Sequence, residues 1–62
     1  MTGPLVFPRV GAHVEVFWLD GVHAEGYVED YFEDGSGWFL DIGANVFAAD
    51  VDHWVGLEDE EV

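Results

Sequence analysis

The sequence predicts an all-β fold of five short strands. Apolar and polar residues alternate with a period of two over residues 13–18, glycine-rich segments separate the apolar runs, and no window has the spacing of an amphipathic helix. The 62 residues suffice for one domain. Because the chain has no cysteine, neither a disulfide nor a thiolate zinc site is available, and apolar side chains must form the core.

The first two predicted strands form a hairpin. The segment AHVEVFWL (residues 12–19) alternates as a strand with one inward face, and the Asp20-Gly21 turn follows because glycine reaches positive φ. The next run, VHAEGYVEDYF, is long, and Gly26 in its interior predicts a bend or a close approach of another backbone. The predicted inward residues are Val14, Val16, Gly26 and Val28.

The second half of the chain predicts three further strands. After the loop EDGSG, the segment WFLDI places Trp38, Leu40 and Ile42 inward and Phe39 outward. The segment VFAA predicts a short strand, DVDHW a single tight helical turn, and WVGL the last strand. The predicted organisation is an extended arm over 1–9, the domain over 10–57 and an acidic tail over 58–62.

Together these elements describe a single five-stranded SH3-like barrel with a short helical turn before the last strand. The stretch from Val10 to Val51 resembles the Tudor and related SH3-like barrels, whose pattern runs G-x-x-V-x-V-x-W, a D-G turn, a strand ending in a small residue and a valine, a loop, then a strand and a D-[VL] turn. The matching residues are Gly11, Val14, Val16, Trp18, Asp20, Gly21, Val28, Asp50 and Val51. The resemblance covers about two thirds of the chain and implies a Tudor-like fold.

The same resemblance implies a role for Trp18. Tudor-like domains that bind methylated lysine or arginine use an aromatic cage, whose ring faces attract the cation. Trp18 lies where the family places the first wall of that cage. The strand after the Asp-Gly turn, which would supply the second wall, carries Val22, His23 and Ala24 instead. We therefore also weigh the interpretation that Trp18 closes the end of the core.

Charge is the most unusual feature of the composition. Fourteen acidic residues stand against Arg9 alone, which gives a formal net charge of −13. Such a surface repels nucleic acid and anionic membranes, so we expect neither as a direct partner. An electrostatic partner is expected to be a basic protein. The tail 58–62 holds only four of the acids, so the domain itself is strongly acidic.

The sequence gives no sign of catalysis. The segment GSG lacks the lysine and the helix of a phosphate-binding loop, and a domain of this size rarely encloses a cleft for two catalytic carboxyls. His13, His23 and His53 do not have the spacing of a compact metal motif. We predict no enzymatic activity, no cofactor and no metal. A cytoplasmic location is expected, because no apolar stretch approaches the roughly 20 residues of a membrane span and no signal sequence is visible.

Two functions fit this composition best. In the first, the acidic surface binds a basic partner, and its carboxylates imitate nucleic-acid phosphates, as in a DNA-mimic inhibitor. Small acidic inhibitors made by bacteriophages are similar in size and charge, which indicates a phage protein acting in a bacterial host. If the second strand stays regular, its acids and tyrosines share one outward face. The predicted partner-binding residues are Glu15, Glu25, Tyr27, Glu29, Tyr31, Glu33, Trp18 and Phe39.

In the second, the domain is a structural, assembly or adaptor module that self-associates or docks on a larger protein. Exposed aromatic residues would mark the contact, with Phe7, Phe17 and Phe47 joining Phe39 in an apolar patch. A third interpretation assigns the acidity to solubility or to adaptation to high salt.

Overall fold

The computed structural model describes residues 6–57; the start of the predicted arm (1–5) and the predicted tail (58–62) lie outside the described residues. Five antiparallel strands form one sheet, which confirms the all-β prediction. They are β1 (His13–Trp18), β2 (His23–Tyr31), β3 (Gly37–Leu40), β4 (Asn45–Phe47) and β5 (Val51–Gly56). One 3-10 turn, Ala48–Asp50, is the single helical element in this part of the chain.

The strand order in the sheet is β4-β3-β2-β1-β5. The first four strands form a meander, and β5 returns across the molecule to pair with β1, so that Val14 lies opposite Gly56. The first half of β2 pairs with β1 and its second half with β3, so one long strand is shared by two halves of the sheet. Strands β4 and β5 are the two edges, and over residues 6–57 the sheet is open between them.

Every strand contributes to one apolar core on the inner side of the sheet. The buried hydrophobic residues are Val14, Val16, Val28, Trp38, Leu40, Val46 and Val51. The inward orientation predicted for the valines of the first two strands, and for Trp38 and Leu40, is confirmed. The prediction for Ile42 is wrong: its side chain is 55% exposed, because β3 ends at Leu40 and Ile42 lies in the following turn.

Gly26 is buried, and the close approach predicted there is made by side-chain atoms of residues 40–42 rather than by another backbone. A Cβ atom at this position would lie 2.9 Å from Oδ1 of Asp41 and 3.5 Å from Cγ2 of Ile42. The Asp41 carboxylate accepts a hydrogen bond from the Tyr27 N–H, and the Asp41 N–H donates to the Tyr27 carbonyl. The turn between β3 and β4 therefore folds over β2 at its glycine.

A β-bulge interrupts β2 just after this point. Val28 lies opposite Leu40, but Asp30 lies opposite Phe39, so Glu29 is an additional residue in β2. Because side chains alternate between faces, one extra residue exchanges the faces of all residues that follow. Tyr31 therefore lies opposite buried Trp38 and shares its inner side of the sheet. The prediction that Tyr31 shares an outer face with Glu25 and Tyr27 is wrong, since the strand is not regular.

The helical turn and the last strand also differ from prediction. The turn lies at Ala48–Asp50 rather than over residues 50–54, and the last strand begins at Val51 rather than at Trp54. Pairing with β1 explains the difference, because it provides hydrogen bonds along β5 and buries Val51. The predicted strand over residues 46–49 is found at Asn45–Phe47.

Residues 6–9 have no regular secondary structure; within them Phe7 packs against the core and Pro8 is buried, while Val6 and Arg9 are exposed. The Phe7 ring lies 4.9 Å from the Trp38 ring, between centroids. The Pro8 carbonyl accepts a hydrogen bond of 2.8 Å from the Tyr31 hydroxyl, and the Val6 carbonyl accepts one of 2.7 Å from the Trp54 indole N–H. This segment, which we call the arm, thus connects β2 and β3 to β5.

Gly37→Ala is expected to destabilise the protein severely. The new Cβ would overlap the Val46 carbonyl oxygen and lie 3.0 Å from Cα of Phe47. Because both are backbone atoms of β4, no change of side-chain rotamer can relieve the clash. We expect a loss of at least about 3 kcal/mol in the free energy of unfolding, measured by urea denaturation. Gly56→Ala is the control, because no atom lies within 4 Å of the new Cβ. Equal stability of the two variants would contradict the close packing of β3 on β4.

Phe7→Ala is expected to lower the free energy of unfolding by about 2 kcal/mol, since the half-buried ring packs on Trp38 and Tyr31. Val6→Ala serves as the control, because the Val6 side chain is 75% exposed and only its carbonyl makes a described hydrogen bond. Urea denaturation of both variants gives the comparison. A Phe7→Ala variant as stable as Val6→Ala would show that the arm does not support the core.

Candidate functional site

The outer side of the sheet carries two surfaces of different chemistry. The first lies on β1 and the strands beside it and contains all three histidines of the chain. It arises from register: His13 lies opposite Tyr27, and Phe17 lies opposite both His23 and His53. We call this surface the histidine face. Its residues are His13, Glu15, Phe17, His23, Glu25, Tyr27 and His53.

Each histidine of this face donates a hydrogen bond to a carboxylate. His13 Nε2 lies 2.9 Å from Glu25, and His23 Nδ1 lies 2.9 Å from Glu15. His53 Nδ1 lies 2.7 Å from the neighbouring Asp52. Two of the predicted partner-binding carboxylates are therefore already engaged within the protein.

Ring stacking holds the histidine face together. The His13 and Tyr27 rings lie 4.5 Å apart and nearly parallel, at 12°. Phe17 stacks on His53 at 4.5 Å and 8°, and it lies 5.6 Å from His23 on its other side. These contacts fix the positions of the imidazoles. They do not assemble a metal centre, because residues 6–57 contain no cluster of three or more suitable ligands.

The second surface lies on the outer side of β3 and β4 and at the end of β2. The Phe32 ring lies 4.6 Å from the Phe39 ring, edge to face, and 5.0 Å from the Phe47 ring. We call Phe32, Phe39 and Phe47 the phenylalanine patch. Phe39 is 38% exposed and Phe47 46% exposed, while Phe32 lies half-buried between them. The rings line an open groove of about 410 Å³.

Carboxylates border the phenylalanine patch. Glu33 and Asp34 line the same groove, and Asp30 lies opposite Phe39 in the sheet. The Ser36 hydroxyl, 2.7 Å from Asp34 Oδ1, and the Ser36 N–H, 3.0 Å away, both donate to this carboxylate and hold the pKa of Asp34 below its usual value of 3.8. The groove thus combines aromatic rings with a carboxylate that stays ionised.

The aromatic cage implied for Trp18 is not formed. Trp18 is half-buried against the core, and the small cleft beside it is lined by Leu19, Asp20 and Asp50, which supply no second ring. The packing role for Trp18 therefore agrees with the structure.

The predicted site residues do not form one surface. Glu15, Glu25 and Tyr27 belong to the histidine face, whereas Phe39 belongs to the phenylalanine patch. Glu29 lies in the bulge, Glu33 follows the end of β2, and Tyr31 lies on the inner side. Of the predicted apolar patch, Phe47 does join Phe39, but Phe7 packs in the arm and Phe17 lies among the histidines.

Sequence reasoning missed Phe32 and the meeting of the three histidines. Phe32 faces outward only because of the bulge, which no residue of EDYF indicates. The histidine arrangement had a signal: residues 13, 15 and 17 share one face of β1, and residues 23, 25 and 27 share one face of β2. Applying the hairpin register to both strands would have placed His13 and His23 on one face, whereas His53 joins them through the distant pairing of β5 with β1.

Comparison of the chain with protein families, with curated proteins and with solved structures finds no match in any of the three. Among residues 6–57, no helix has the length and apolar character required to cross a membrane.

Ser36→Ala is expected to raise the pKa of Asp34 back towards 3.8, because the hydroxyl is the main cause of the lowered value. Ser36→Thr keeps a hydroxyl and is expected to keep the low pKa. NMR titration of the side-chain carboxyl measures both variants. A depressed pKa stabilises the folded state above the unfolded pKa, and this contribution disappears as the pH falls through the folded value. An Asp34 pKa that is the same in wild type and Ser36→Ala would contradict the assignment.

Proposed function

We propose that this protein is a non-catalytic binding module whose acidic surface engages a basic partner protein. The observation that supports this proposal most directly is the negative surface charge, which the protein has too few basic residues to neutralise. Ten of the fourteen acidic residues lie within residues 6–57, and none is buried. The ion pairs described in this range all involve histidine, and Arg9 is the only lysine or arginine of the chain.

Such a surface favours one class of partner. Its field attracts cationic proteins and accelerates their association, while it repels nucleic acid and anionic membranes. Within this class we propose nucleic-acid-binding proteins, whose basic grooves would accept carboxylates in place of phosphates. The protein would then act as a DNA-mimic inhibitor. The bulge at Glu29 divides the acids of β2, so mimicry would depend on the whole acidic surface rather than on a single row.

The proposed architecture is an SH3-like barrel of the Tudor type. Support comes from the meander of four strands, the return of β5 to β1, the shared strand β2 and the 3-10 turn directly before β5. As part of the same proposal, the protein acts in the cytoplasm of a bacterial host and is phage-encoded. The size, the acidity and the absence of cysteine support this placement.

An assembly or adaptor role is the second candidate function. The observation that favours it is the phenylalanine patch, whose exposed rings could bury apolar area against a scaffold or a second copy. The two functions differ in salt dependence, since a contact through apolar area persists at high salt and a contact through unpaired charges does not.

The test is capture of binding proteins from a bacterial lysate at about 0.05 M and about 0.5 M salt, followed by titration of the purified captured protein. We expect a basic protein that is lost at high salt and displaced by duplex DNA. Glu29→Gln combined with Glu33→Gln is expected to slow association and weaken the complex about tenfold, because neither carboxylate belongs to an ion pair described in residues 6–57. The control pair Glu29→Asp and Glu33→Asp keeps the charge and is expected to bind like wild type. A complex insensitive to both salt and charge removal would overturn the proposal in favour of assembly.

A further inference from the structure

We propose that the phenylalanine patch is the docking site for an arginine-bearing segment of the partner, with the guanidinium stacked on a phenyl ring and paired with the carboxylates beside it. This inference rests on the proposed function and specifies where the basic partner is held and through which side chain.

The first argument is the position of the three rings. The core lies on the inner side of the sheet, and Phe32, Phe39 and Phe47 lie on the outer side, where they contact one another. The open sides of Phe39 and Phe47 face the groove rather than a packed interior. Exposed aromatic faces in an open groove are suited to stacking with a planar group.

The second argument is charge complementarity. Glu33 and Asp34 line the groove, and Asp30 lies opposite Phe39 in the sheet. No basic residue lines it, so its occupant must supply the positive charge. Arginine fits both features, because its guanidinium stacks on aromatic faces and donates hydrogen bonds to carboxylates in the plane of the same group. The compact ammonium of lysine is also attracted to a ring face, but it lacks the planar group that stacks on the ring and pairs with a carboxylate at the same time.

The third argument concerns a second copy of this chain as the occupant. A two-fold contact through the patch would place Glu33 and Asp34 of both copies at the same interface. These like charges would lose solvent while facing each other, with no cation from the patch itself to compensate. The histidine face also lacks this combination, since its Glu15 and Glu25 are paired with imidazoles, whereas the acids beside the patch belong to no ion pair described in residues 6–57.

The experiment titrates the full-length protein with three synthetic peptides of equal length, in which leucine alternates with arginine, lysine or glutamine. Binding is measured by calorimetry, and the contact is mapped by amide chemical shifts. We expect the arginine peptide to bind about tenfold more tightly than the glutamine peptide and several-fold more tightly than the lysine peptide. The shifted amides should be those of residues 32–39 and 45–47.

Matched variants test the location. Phe39→Ser is expected to weaken binding of the arginine peptide about tenfold, whereas Phe17→Ser, which removes a ring from the histidine face, should change it less than about twofold. Shift mapping on the wild-type protein needs no variant and so decides the matter if either variant fails to fold. Equal effects of the two substitutions, shifts confined to the histidine face, or dimerisation that depends on Phe39 would each overturn the inference.

The outcomes separate the two proposals. Salt-sensitive capture of a basic protein that Phe39→Ser does not weaken would leave the proposed function intact and remove the docking site. Absence of salt-sensitive binding to both the captured proteins and the arginine peptide would remove both.

Discussion

The single extra residue in β2 is the constraint on which both sides of the sheet depend. Before the bulge, Val28 faces the core. After it, Tyr31 takes the inner side and Phe32 the outer side. The inner position allows the Tyr31 hydroxyl to hold the arm through Pro8, while the outer position brings Phe32 onto Phe39 and Phe47. In a regular strand these two rings would exchange faces, and the protein would lose an anchor of its core together with its exposed aromatic patch.

The parts of the fold that follow from local patterns could be predicted from the sequence. Alternation fixes the inner valines of β1, Gly21 at φ +94° makes the first turn, and Gly26 marks a close contact with the turn after β3. The parts set by distant pairings could not. The bulge depends on how β3 meets β2, and the start of β5 depends on its pairing with β1. The candidate site shows the same difference. The outward position of Phe39 was predicted from the alternation of residues in its strand, whereas the outward position of Phe32 depends on the bulge and was not predicted.

The outer side of the sheet thus carries two surfaces, and these differ in whether their carboxylates are paired with imidazoles. On the histidine face, Glu15 and Glu25 each accept a hydrogen bond from an imidazole, and the rings stack in pairs. On the phenylalanine patch, aromatic rings meet carboxylates and no cation is supplied by the lining residues. The two surfaces differ because β2 is shared. Its first half pairs with β1, its second half pairs with β3, and the bulge in the second half changes which residues point outward there.

The return of β5 to β1 also determines when the molecule can fold during its synthesis. Val14 and Gly56 are paired although about 40 residues separate them, so β1 gains its second neighbour only after β2, β3 and β4 have been synthesised. Until then β1 has only its hairpin partner, and a two-stranded hairpin is marginally stable in water. The acidic side chains of the unfinished chain repel other nascent chains during this interval, which protects an open strand edge from pairing between molecules.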